Sequence, residues 1–224
     1  MRRALWAIAL LVAGTLATNS TAIGDIRNTH HDFGGATWTG NQICVPCHTP
    51  HNANLSVTAA PLWNHAITTA TYTVYTSPTL NAIMTQPAGL SKLCLSCHDG
   101  TVAIDSFGGL TGTRTMPFRG NFGTNLRKHH PVSFPYDSAL AAADGELHDP
   151  STRITALGGT INQDLLFAGR LECASCHDVH VSRGSGNCTD CHNSHFGTIL
   201  AEGSTKSLRI DNQNSAFCLT CHVK

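Results

Sequence analysis

The chain has 224 residues, with 14 Lys and Arg against 14 Asp and Glu, and only 12% of its residues are charged. That balance offers neither the basic face that nucleic acid requires nor the cationic patch that an anionic membrane requires, so neither is expected as a partner. Aromatic residues make up 6%, few stretches carry helical or strand periodicity, and the chain looks short of material for the apolar core its length calls for.

The chain opens with Met1-Arg2-Arg3, an apolar run from Ala4 to Ala17 and small residues up to Ala22. This reads as a secretory signal peptide over residues 1–22. Cleavage after Ala17, or retention as an anchor, are the alternatives. The apolar run falls short of the roughly 20 residues that span a bilayer. The mature chain, 23–224, is expected to be exported, to form a single domain and to hold no membrane span. Losing Arg2 and Arg3 leaves 12 basic against 14 acidic residues.

Beyond the leader, His30 and His31 stand in "NTHHDF", followed by Cys44-x-x-Cys47-His48 with His51 three residues on. His65 sits in "PLWNHA", and Thr69 to Thr76 has strand composition. Ser91 is positioned to cap a short helix that carries Cys94, Cys97 and His98. "FGGLTGT" is a turn, and neither it nor "RGSG" (183–186) fits a phosphate loop. His130 precedes Pro131, which favours extended backbone, and His129 is read as its solvent-facing neighbour. Asp137 to Gly145 has a capping Asp, an alanine-rich middle and a glycine stop, and so predicts a helix of two turns. His148 lies in an Asp-Pro turn. Cys173, Cys176, His177 and His180 repeat the first unit, and Cys188, Cys191, His192 and His195 repeat it again. The last unit is Cys218, Cys221 and His222, with Ser215 as its expected cap.

All ten cysteines therefore fall into five Cys-x-x-Cys pairs, and each pair is followed by histidine. Histidine is 14 of 224 residues, so chance would produce five such hits about once in a million. Disulfides do not require a histidine after each pair. Structural zinc wants four ligands at regular spacing, whereas these pairs start 50, 79, 15 and 30 residues apart. Thioredoxin-like chemistry needs one such motif beside a βαβ unit. Cys-x-x-Cys-His is the attachment signature of c-type haem, in which two thiols bond the vinyl groups and the histidine lies under the iron. Five covalent haem c groups are expected, with His48, His98, His177, His192 and His222 as proximal ligands. The porphyrins then supply the missing core. The expected fold class is a multihaem cytochrome c, mostly coil with short α-helices and few short strands, wrapped around a stack of covalently bound haems.

Methionine as second axial ligand would raise the potential, but only Met84 and Met116 survive loss of the leader. Most irons are expected to be bis-histidine, which leaves no open face and argues against an enzyme. The distal candidates are His31, His51, His65, His130, His180 and His195. In three units the second histidine stands at i+3 from the first, so a helical turn would set both rings on one face. The second ring cannot easily reach the distal face of its own pinned haem, but it can reach a neighbour's iron. Trp38 and Trp63 are expected to pack against porphyrin.

"QICVPCHTPHNA", "APLWNHAITTATYTVYTSPTLNA", "KLCLSCHDGTVAIDSFGG", "HPVSFPYD", "LECASCHDVH" and "NSAFCLTCHVK" together resemble multihaem cytochromes c of metal-reducing bacteria. The chain is most similar there to the four-haem cytochromes that polymerise into extracellular filaments. The resemblance implies a bis-histidine haem stack, export beyond the periplasm and end-to-end self-assembly, with a histidine of one subunit ligating a haem of the next. His31, on a free N-terminal arm, is the expected shared ligand. "CTDCHNSH", from Cys188 to His195, departs from the four-haem pattern and looks like an inserted fifth site. The expected function is electron conduction to other cytochromes or extracellular acceptors. A periplasmic shuttle and a multihaem reductase with one open haem are the alternatives.

Overall fold

A computed structural model describes residues 26–27, 29–56, 62–180, 208–210 and 212–223. Most of these residues are coil. The elements are α1 (Gly89–His98), β1 (Phe134–Pro135), α2 (Ser138–Asp144), α3 (Ile161–Asp164), β2 (Arg170–Leu171), α4 (Cys173–Cys176) and α5 (Cys218–Cys221), together with three 3₁₀ turns. β1 and β2 pair antiparallel, with Phe134 opposite Leu171 and Pro135 opposite Arg170. No described helix is long and apolar enough to cross a membrane.

The helices form where local chemistry closes their ends. Asp137 caps α2 by accepting from the Leu140 N–H at 2.8 Å, and Gly145 ends it at φ 74°, as the sequence predicts. Thr160 and Gln163 form a reciprocal capping box on α3. Gly89–His98 is longer because Leu93 and Leu95 are both buried along it.

Apolar burial is thin. Thirteen apolar residues are buried among the described ones. The larger cluster joins Phe134 and Tyr136 to Ile161, Leu165, Leu171 and Phe217. A smaller one joins Tyr72, Leu95 and Leu126. At about 2 kcal/mol for each fully buried large side chain, these clusters hold the loops locally, and polar staples add to them. Asp99, 3% exposed, accepts from the Thr68 hydroxyl (2.7 Å), the Tyr72 hydroxyl (2.5 Å), the Thr101 N–H (2.7 Å) and the Thr101 hydroxyl (2.8 Å). Burial raises the Asp99 pKa, but these hydrogen bonds outweigh it and hold the carboxyl below its ordinary range.

Three local expectations are corrected. Thr69 to Thr76 is not a strand. It makes one parallel bridge, Thr73 to Asn125, and the Gln86 side chain takes the strand neighbour's place by bonding both the N–H (2.7 Å) and the carbonyl (2.9 Å) of Tyr72. Ser91 does not cap α1; it lies inside the helix, and its hydroxyl accepts from the Cys173 N–H at 2.9 Å. Ser215 does not cap α5. The Asn212 carboxamide oxygen does so, receiving the N–H groups of Phe217 (3.0 Å) and Cys218 (3.4 Å), while Ser215 is held at φ 61°.

Candidate metal centres

Three of the four described Cys-x-x-Cys-His units are a single turn of chain, and the fourth, Cys94 to His98, is the C-terminal end of α1. The histidine N–H returns to the carbonyl of the first cysteine: His48 to Cys44 (2.8 Å), His177 to Cys173 (3.0 Å) and His222 to Cys218 (2.9 Å). In α4 and α5 the backbone leaves the helix at the histidine, with ψ 140° at His177 and 143° at His222. The same three histidines are fixed by bridges to distant chain, His48 to Trp63, His177 to Leu208 and His222 to Leu147. The second cysteine's carbonyl is tied as well, receiving Asn64 N–H at Cys47 (2.9 Å), Arg209 N–H at Cys176 (3.0 Å) and His148 N–H at Cys221 (2.8 Å). Three clamps thus share one backbone design.

The expected helical turn from first to second histidine is absent in both described cases. Thr49 and Asp178, each next after the first histidine, turn the chain instead. The Thr49 hydroxyl receives the His51 N–H at 3.4 Å, and the Asp178 carboxylate receives the His180 N–H at 2.9 Å. Such side-chain turns compete with helix, and Pro50 biases Thr49 away from it.

The second ring therefore projects away from its own clamp. His180 stacks 6.1 Å from His48, centroid to centroid. His31 lies 5.9 Å from His98, and His130 lies 6.3 Å from His222. Three distal candidates thus face three expected proximal ligands, each from a remote part of the chain. An iron held between two imidazoles by bonds of about 2 Å spaces the ring centroids by roughly 6 Å. The residues fit that group.

Ring nitrogens agree with this spacing. His98 Nδ1 bonds the Gly120 carbonyl (2.7 Å), His130 Nδ1 the Pro131 carbonyl (2.8 Å) and His180 Nδ1 the Asp178 carboxylate (3.2 Å). These oxygens only accept, so Nδ1 donates and Nε2 is the nitrogen left for another partner, the arrangement that orients metal-ligating histidines. Burial, with His98 next in effect, lowers the His31 pKa to about 4, which keeps the imidazole neutral as a ligand must be.

His31 therefore lies beside His98 of its own chain. His65 is 2% exposed. Its Nδ1 and Nε2 lie 2.7 and 3.1 Å from the carbonyls of Ala66 and Ala103, and Nε2 is 3.5 Å from Cys97 Sγ. His51 is exposed. His129, expected to face solvent, is the more covered of its pair and packs on Phe122 at 5.1 Å. Trp63 stands 6.4 Å from both His48 and His65. Trp38 packs on Phe33 and Phe107. Cys188, Cys191, His192 and His195 lie outside the described residues, as do residues 1–22 and the turn at 183–186.

The eight described cysteines are all free of disulfides, and no three or more Cys, His or acidic side chains converge as a metal cage among the described residues. Burial pushes the thiols up, to about 11 at Cys47 and Cys221 and to about 12 at Cys97 and Cys176. Such thiols are protonated at neutral pH, unlike the thiolates of redox or nucleophilic cysteines. Neighbouring thiols also order the clamps. Cys47 lies close enough to Cys97, Cys173 to Cys94, and Cys218 and Cys221 to Cys176 to help raise the thiol pKa of Cys97, Cys94 and Cys176. An apolar slot lined by Met84, Leu95, Phe122, Leu126 and Val132 opens beside Cys173, with His129 and His130 on its wall. No protein-family model matches this chain, and no curated protein matches it.

Proposed function

We propose that this chain is an exported multihaem cytochrome c that conducts electrons along stacked bis-histidine haems and assembles with copies of itself. The observation that carries the reading is the facing of His31 with His98, His48 with His180 and His130 with His222 at 5.9, 6.1 and 6.3 Å. Bound, each haem c supplies a one-electron iron couple. The chain's own residues do the rest. The cysteines would anchor the haems, the first histidine of each unit would be one iron ligand, and in three units a histidine from another part of the chain would be the other. Irons held by two histidines would leave substrate no entry, which favours transfer over catalysis. The succession of neighbouring thiols from Cys47 to Cys221 supports one continuous path.

Assembly rests on the resemblance and on the surplus of histidines. His31 lies beside His98 of its own chain, and His51 is a second candidate for the shared ligand. It is exposed, beside Leu55 at 78% and Leu62 at 52% exposure. Large exposed apolar side chains next to a metal-binding ring suit a contact with a second copy. Other cytochromes and extracellular acceptors are the proposed redox partners, and the cell exterior the proposed location.

Axial ligation tests the reading. The assembled protein is expected to show only low-spin iron by EPR and to bind no carbon monoxide after reduction. Binding of carbon monoxide to one haem in five would reveal an open face and turn the reading toward a reductase.

A further inference from the structure

Glu172 is 2% exposed and takes no part in haem attachment. Its carboxylate accepts from the Ser91 N–H (3.2 Å), the Ser91 hydroxyl and the Ser133 hydroxyl (2.7 Å). Arg170 Nε, buried and without a hydrogen bond, lies 3.6 Å from Oε1. Three donors and a guanidinium are the partners an ionised carboxylate calls for. Gly89 makes the room: a Cβ there would come within 3.1 Å of Oε1, and its φ of +51° disfavours a side chain.

The position is a junction. Ser91 lies three residues before Cys94 on α1, and Cys173, which opens α4, directly follows Glu172. The Cys173 N–H donates to the Ser91 hydroxyl at 2.9 Å. A staple between two helices needs only hydrogen bonds, and burying a charge for that purpose is costly. A buried charge also acts over a longer range than one in water.

We propose that the Glu172 carboxylate, opposed by Arg170, sets the reduction potentials of the two haems held by Cys94, Cys97 and His98 and by Cys173, Cys176 and His177. This rests on the haem reading above. A fixed negative charge beside an iron favours its ferric state and lowers the potential, and a fixed positive charge does the reverse; burial and surrounding groups are levers on haem potential.

The test is spectroelectrochemical titration of the holoprotein, E172Q, R170Q and the double variant, after haem content has been measured as the pyridine haemochrome. The expected result is an upward displacement of part of the titration curve in E172Q, a downward one in R170Q and a return toward the parent in the double variant, at equal haem content. Curves that stay in place, or single variants that move the same way as loosened packing would move them, overturn the proposal while leaving the haem reading intact. If E172Q does not fold, R170Q decides alone: a downward shift supports the proposal and an unmoved curve overturns it. A parent protein without covalent haem would overturn the haem reading itself, and this proposal with it.

Discussion

Replacing His180 with alanine is expected to open one haem in five. The ring centroids of His180 and His48 lie 6.1 Å apart, and Asp178 holds Nδ1 of His180, so Nε2 would be the nitrogen offered to a haem iron. On the proposed reading, losing it would leave the haem on Cys44 and Cys47 without its second protein ligand. A high-spin signal and carbon monoxide binding should each appear in about a fifth of the haem, and the potential of that haem should rise as a strong axial donor is lost. The effect would cross between clamps, because His180 follows α4 while Cys44 and Cys47 lie more than a hundred residues earlier in the chain. His51→Ala, made in the same attachment unit as the affected haem, is expected to leave the spin state of the dissociated protein unchanged. A His180→Ala protein with wholly low-spin iron would remove His180 from the ligand set.

Asp99→Ala is expected to cost about 3 kcal/mol. The substitution strips the acceptor from the hydroxyls of Thr68 and Tyr72, both buried, and from the N–H and hydroxyl of Thr101. Each buried donor left unpaired costs about 1–3 kcal/mol, and Thr101, nearer solvent, costs less. Against a net stability of about 5–15 kcal/mol the loss is severe. It falls beside His98, so the yield of fully loaded protein should fall with the denaturation midpoint. Tyr72→Phe removes one donor and should cost about 1 kcal/mol, measured by the same denaturant titration. A midpoint for Asp99→Ala within error of the parent would show that water replaces the carboxylate at no cost.

The five Cys-x-x-Cys-His units stand out in the sequence because one spacing repeats five times, and the backbone turn they share in three of the four described units is set within five residues. The helix from Ser138 to Asp144 was legible because Asp137, the alanines and Gly145 act on one another within a few residues. What was missed depends on long-range partners. Ser91 looks like a cap to its own helix, yet its hydroxyl serves Cys173, 82 positions on. Thr69 to Thr76 has the composition of a strand, but its neighbour at Tyr72 is a glutamine side chain. The carbonyls of Cys47, Cys176 and Cys221 receive distant backbone N–H groups, and backbone bonding leaves no mark on residue type. One signal was present and overlooked: Thr49 and Asp178 stand directly after the first histidine, and both are residues that bend the chain through their own side chains.

The central claim is that every cysteine of this chain carries haem. Intact-mass measurement of the exported protein, with thiol titration after unfolding, addresses it most directly. The expected result is a polypeptide heavier by five haem groups, with none of its ten cysteines reacting as a thiol. A mass equal to the bare polypeptide, with all ten cysteines reacting or paired in disulfides, would contradict the account.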